Sequence, residues 1–168
     1  MIFTMFKKYF LPLFLILSIF AYGQNDYYEL RTYTIPFNGS ELKLNSYLAN
    51  VLLPALNRQG VENIGVFEAI GEPTPKQLVL LIPYKGIAQY ETVLKFLARD
   101  KTHQNDKKEY DAIPVSNKVY TRYSSSFYFA FDGLPQIVKP AKDSQLFELR
   151  TYEGYSENAV DRKTSMFN

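Results

Sequence analysis

A hexapeptide recurs in this chain. Tyr28-Glu29-Leu30-Arg31-Thr32-Tyr33 returns as Phe147-Glu148-Leu149-Arg150-Thr151-Tyr152, with five of six positions identical and Tyr exchanged for Phe at the sixth. Each copy is followed by a turn-like stretch and then by a segment able to open a helix. A repeat with so long a period makes the repeating unit a whole domain, not a turn of a solenoid. Only a short stretch follows the second copy before Asn168. The chain therefore divides into a leader at residues 1–23, a first unit at 24–132, a linker at 133–144 and the truncated start of a second unit at 145–168. A lone strand and helix without neighbours leave backbone groups and an apolar face unserved. The tail from Leu146 is expected to be poorly packed, or to dock as an extra strand beside the first unit.

The leader has the three parts of a secretory signal peptide. Lys7 and Lys8 are followed by an apolar run from Tyr9 to Phe20, then by the small-x-small triplet Ala21-Tyr22-Gly23. The run is short for a membrane span of about 20 residues. Cleavage before Gln24 is expected, with an exported product, periplasmic or extracellular, and no stable membrane anchor after cleavage. Of the 19 basic residues, two lie in the leader, so the mature chain balances 17 bases against 17 acids. No basic surplus remains to draw it to nucleic acid. The chain has no Cys and a single His. Disulfide scaffolds, thiol enzymes, zinc fingers and cysteine-held clusters are excluded, and so is a metal site built on two histidines. No metal and no cofactor is expected.

Asp26–Ile35 alternates and is rich in Tyr and Thr, as a strand does. Ser40 is a natural N-cap for a helix from Glu41 to about Arg58, with Leu44, Tyr47, Leu48, Val51, Leu52, Ala55 and Leu56 on one face. Pro54 should kink or loosen that helix near Asn50, and Gly60 suits its end. Val61–Ile70 and Gln77–Tyr84 are expected to form a hairpin pair of strands, joined across Pro73 and Pro75. Ile87, Tyr90, Val93, Leu94 and Leu97 mark a second helix, and Asp100–Asp111 a further short one. Val119–Phe131 is a long fourth strand, and Asp132–Asp143 is the Gly- and Pro-containing connection. The order is βαββαβ. It predicts an α+β, ferredoxin-like unit, an antiparallel sheet with helices on one face. The other face is left bare, and a second such unit could bury it as a barrel-like pair.

The YELRTY motif at Tyr28 and the stretch from Phe147 to Asn168 resemble the NIPSNAP family of the dimeric α/β-barrel superfamily. The resemblance spans about Tyr27 to Asn168 and rests most on the paired ELRTY. It implies one unit of a tandem α/β barrel whose partner is a second NIPSNAP-like unit in a longer chain, or a second copy in a homodimer. The family has no settled enzymatic activity, so the resemblance carries over no catalytic set.

Glu29, Arg31 and Tyr33 share one face of their strand, and Tyr28, Leu30 and Thr32 the other. The apolar set is expected to meet the helices and the polar set to face the barrel interior. Glu148, Arg150 and Tyr152 should do likewise in the second unit. Arg in such a place binds an anionic or carbonyl-bearing small molecule, oriented by Glu and Tyr. The plainer role is a structural ion pair that closes the barrel, with partners on the neighbouring strand, and the duplication favours it. Some haem-degrading α/β barrels hold iron through one His, but His103 lies in a polar stretch and is expected on the solvated surface. Tyr123, Phe127, Phe129 and Phe131 share one parity of the fourth strand and Tyr120 and Tyr128 the other, a core, an interface or the lining of an apolar cavity. The sequence thus favours a non-enzymatic binding or interaction protein with a barrel-interior pocket. The alternative is a cofactor-free or haem-dependent, monooxygenase-like enzyme acting on a small hydrophobic carbonyl compound.

Overall fold

The computed structural model describes residues 25–71, 75–139 and 146–168. The expected leader at residues 1–23 and its expected cleavage before Gln24 lie outside the described residues, as does part of the expected linker. The described elements begin β1 (Tyr27–Ile35), α1 (Glu41–Tyr47), α2 (Leu53–Asn57), β2 (Gly65–Glu68) and β3 (Lys76–Tyr84). They continue with α3 (Ile87–Leu97), α4 (Lys101–Asp106), α5 (Lys108–Asp111), β4 (Arg122–Phe129) and α6 (Glu157–Ser165). The sheet order is β2-β3-β1-β4, with every neighbouring pair antiparallel. This is the ferredoxin-like α+β unit expected from the sequence.

Ser40 caps α1, its hydroxyl accepting from the Lys43 N–H. The helix does not stop for Pro54. Between α1 and α2 the chain makes a π-helical turn over Leu48–Leu52, in which the Leu53 N–H donates to the Leu48 carbonyl. Proline offers no N–H to the carbonyl four residues back and crowds it. One inserted residue in the winding relieves that conflict without breaking the helix. Leu44, Leu48, Leu52 and Leu56 stay buried along a single line. Gly60, at φ 70°, ends the segment in the left-handed conformation that glycine adopts without cost.

The second strand is shorter than its hydrophobic run. Asn63 sits at φ 56° and turns the chain just before Gly65, so Val61–Ile64 does not pair with β3. β4 likewise begins later than expected, because Val119 drops into the core. The linker start is tied back to the sheet by Asp26 N–H donating to the Pro135 carbonyl at 2.8 Å.

One expectation is reversed. Residues directly opposite each other in an antiparallel pair point to the same face. Glu29, Arg31 and Tyr33 stand opposite Ile82, Leu80 and Leu78. Those β3 side chains form the core with Leu44, Leu48, Leu52, Leu56 and Val93 of the helices. The Glu29–Arg31–Tyr33 face is therefore the helix-covered one, and Tyr28, Leu30 and Thr32 face the open side. Alternation in β1 established that two sets exist. It did not say which set the helices cover, because β3 settles that: its Leu78, Leu80, Ile82 and Tyr84 are the more apolar parity, and β1 must share their face.

The tail does not add a strand. Residues 146–152 are exposed and unpaired with the sheet. It touches the first unit through aromatic rings instead. Phe147 meets Phe67 edge-on at 5.0 Å between centroids, and Phe167 stacks on Phe131 at 5.2 Å. The Asp132 N–H donates to Asn168 Oδ1 at 2.7 Å.

Candidate functional site

The first-unit motif builds a buried polar cluster. β1 is central in the sheet, so its side chains have strands on both sides and helices above. Arg31 grips Glu29 with two parallel bonds, Nε to Oε1 at 2.6 Å and Nη2 to Oε2 at 2.9 Å. The fork geometry of the guanidinium matches the carboxylate. Two hydroxyls complete the carboxylate. Ser125 donates to Oε1 at 2.7 Å from β4, and Tyr84 donates to Oε2 at 3.1 Å from β3. Glu29 and Arg31 are 2% and 7% exposed, so both charges depend on these partners and not on water.

The electrostatics follow. Burial alone would push the Glu29 carboxyl up, but the Arg31 bonds and charge, with Ser125 and Tyr84, outweigh it and hold it below the usual carboxylate range. Burial would pull the Arg31 guanidinium down, and Glu29 reverses this, so it stays charged throughout the accessible range. Burial pushes Tyr33, Tyr47, Tyr84 and Tyr123 up, each partly offset by the positive charge of Arg31. Four phenols thus sit in the field of one guanidinium. Tyr47 stacks on Tyr110 at 4.0 Å, and Tyr33 packs against Tyr120 and Tyr123, each at 5.2 Å. The Tyr110 hydroxyl is buried without a partner among the described residues.

On the same face, the edge strand β4 carries Tyr123, Phe127 and Phe129 at 44%, 41% and 58% exposure. Tyr90 of α3 reaches over Phe127, and Tyr27 over Phe129. The helices cover β1 and β3 but leave this aromatic flank half open beside Ser125 and Arg31.

The second copy forms no such cluster. Glu148 and Arg150 make the same ion pair at 2.7 Å, but with side chains 67% and 63% exposed. Tyr152 lies under the Lys163 ammonium, 4.4 Å from the ring centroid. The two triads are not brought together into one site.

His103 is not a surface residue. It is 6% exposed, with Nδ1 3.2 Å from the Leu97 carbonyl and Nε2 buried without a partner among the described residues. Its stretch is polar because α4 turns Lys101, Thr102 and Asn105 outward while one side faces in. A ring so enclosed does not offer Nε2 to a haem iron. Among the described residues no three His, Asp or Glu side chains converge as a metal site would need, and no helix is long and apolar enough to cross a membrane.

Tyr84 and Ser125 were missed in the sequence, although each breaks a pattern. Tyr84 is the one hydroxyl in the buried parity of β3, and Ser125 is the one small residue among the aromatics of its parity in β4. Both departures mark where the Glu29 carboxylate needs a donor.

The sequence matches no family model and no curated protein. Solved structures do match. An uncharacterized NIPSNAP-like domain protein from Burkholderia xenovorans superimposes with a TM-score of 0.53 at 16% identity, over 71% of this chain and 97% of that one. An ethyl tert-butyl ether (ethd) family protein from Bacillus halodurans is a looser likeness, with a TM-score of 0.41 at 11% identity, over 61% of this chain and 96% of that one. At these identities the likeness is one of fold, and this chain has the α+β, ferredoxin-like fold of a NIPSNAP-like domain, with the Glu29–Arg31 pair inside it.

Proposed function

We propose that this chain is a non-enzymatic binding domain for a small apolar molecule with a carbonyl or carboxylate end. The ligand end would meet Arg31, and its body would lie along Tyr123 and Phe127, on the helix side of the sheet and not inside a barrel. One observation carries this. Glu29 engages Nε and Nη2 of a guanidinium that has five N–H donors, and the half-open aromatic flank of β4 leads to it. Apolar walls with a few convergent polar groups are the usual make-up of a small-molecule site. The Glu29–Arg31 pair is then both a structural clamp and the fixed polar end of the site.

A second NIPSNAP-like unit, in a longer chain or as a second copy, is part of the same proposal. The sheet face turned away from the leucines of α1 and α2 offers Leu30, Val79 and Leu81, all half-buried. Export belongs to it as well, and mass spectrometry of the native N-terminus tests this: a mature start at Gln24 is expected, and a retained leader would contradict it.

The ligand reading is tested with a panel of aliphatic and aromatic carboxylates and ketones, followed by calorimetry and thermal shift. Phe127→Ala changes an exposed ring and should leave the melting temperature close to that of the parent while binding falls. Binding that survives Phe127→Ala and Tyr123→Ala unchanged would remove the flank from the site. A panel that gives no binding at all would leave Glu29–Arg31 a purely structural pair.

A further inference from the structure

A second polar site lies apart from the Arg31 cluster. A cavity of about 130 Å³ opens where the start of β1, the end of β3, the loop after α2 and the strap after β4 meet. Its walls include Asp26, Glu62, Asn63, Lys85 and Gln136. Gln89 also lines it but is already committed. Its Oε1 accepts from the Lys85 N–H at 2.7 Å, and its Nε2 donates to the carbonyls of Gln59 and Gly60 at 3.3 and 3.4 Å.

Asp26 is the unusual group. Its side chain is 1% exposed. Its backbone is held at both ends, the N–H by Pro135 at 2.8 Å and the carbonyl by Ala130 at 2.9 Å. The carboxylate therefore has a fixed position. Its side-chain partner among the described residues is Lys85 Nζ, at 3.2 and 3.3 Å from the two oxygens. A carboxylate can accept about four hydrogen bonds. Glu29 receives four, all between 2.6 and 3.1 Å. Asp26 is just as deeply placed and far less well served. Lys85 itself is 63% exposed, so its ammonium can swing into water with its stem still packed.

We propose that this cavity binds a small primary ammonium compound, which donates to Asp26 in place of Lys85 while Glu62 supplies the second negative charge. Lys85 shows what the carboxylate accepts, since the chain fills that position with its own ammonium. Two carboxylates against one lysine leave the walls one negative charge in surplus, the right balance for a monocation. The volume is that of about four waters at about 30 Å³ each, which admits a compound of a few heavy atoms. A divalent cation suits the site less well, because it asks for six or more oxygen ligands and no three acidic or imidazole groups converge among the described residues.

The full chain is titrated with ethylammonium chloride, read by calorimetry and by amide shifts of Gly60 and Asn63. Tetramethylammonium chloride, a cation without an N–H, and sodium acetate are the controls. Saturable binding of ethylammonium alone is expected. Lys85→Met removes the competitor and should tighten it by up to about fivefold. Asp26→Asn should weaken it by at least about tenfold. Should that variant fail to fold, Glu62→Gln, at an exposed position, should still weaken binding by about twofold. Equal binding of tetramethylammonium, no saturable binding in either the parent or Lys85→Met, or an unchanged affinity in both acid variants would each overturn the proposal.

Discussion

Two stretches of nearly identical sequence meet different fates in this molecule. At Tyr28–Tyr33 the motif is the middle strand of the sheet, flanked by β3 and β4 and covered by helices. At Phe147–Tyr152 it is unpaired and exposed, with Leu149 at 71% and Tyr152 at 48%. Both copies still form the Glu–Arg bond between residues two apart, at 2.6 Å in one and 2.7 Å in the other. The bond is thus a local property of the tripeptide. What differs is everything that gives it energetic weight. In the first copy Tyr84 and Ser125 fill the remaining positions of the carboxylate, and both charges are largely shielded from bulk water. In the second, water serves both ions, and an exposed pair of this kind contributes little.

Breaking the first pair should have the largest effect. Arg31→Ala leaves Glu29 buried without its counter-charge and should cost about 2–4 kcal/mol in urea denaturation. A loss too small to measure would place the pair in water and undo the contrast. Removing one hydroxyl at a time is the next step down. Tyr84→Phe and Ser125→Ala each withdraw one donor from a buried carboxylate, and each should cost about 1–2 kcal/mol. Additive losses would show two independent donors, whereas a double variant costing more than the sum would show that one hydroxyl compensates for the other.

The pH dependence separates the copies without disturbing the packing. The folded-state pKa of Glu29 is lowered from 4.5. Its contribution is therefore complete above about that pH and is lost as pH falls through the lower folded value. Glu29→Gln should flatten this acid limb, and Glu148→Gln should leave it in place. At the other extreme, burial raises Tyr33 and Tyr84 above 10.0. Their contribution is complete below pH 10 and drains away as pH rises through the folded values. Tyrosinate absorbance from these rings should then appear together with unfolding. The smallest effect is expected at the second copy, where Arg150→Ala should leave the denaturation curve of this chain unchanged. A measurable loss there would mean that the tail is buried against something in solution.

Much of the fold was legible because it rests on short-range patterns. Ser40 before Glu41, the leucines spaced along α1 and α2, Gly60 at the helix end and the turn residues between strands each specify local geometry. Pro54 marked a disturbance near Asn50, and a π-helical turn occurs there, since the leucine line is buried on both sides of it and a full break would expose half of that line. The ends of β2 and β4 were not legible. They depend on Asn63 turning at φ 56° and on Val119 entering the core, neither of which hydrophobicity alone distinguishes from more strand. His103 was hidden for a related reason, because a polar stretch in a helix still has one inward side.

From its own residues the chain specified the order βαββαβ, the pairing of Glu29 with Arg31 and the grouping of Glu29, Arg31 and Tyr33 on one side of a strand. These follow from backbone periodicity and from opposite charges placed two residues apart, and they need no other part of the molecule. Which side the helices would cover was decided only in three dimensions. The sheet must turn its most apolar face to the leucines of α1 and α2, and that face is chosen by β3, not by β1. The motif went with it, and a pair expected to face a barrel interior came to lie under the helices, where burial makes each remaining hydrogen bond to the carboxylate necessary.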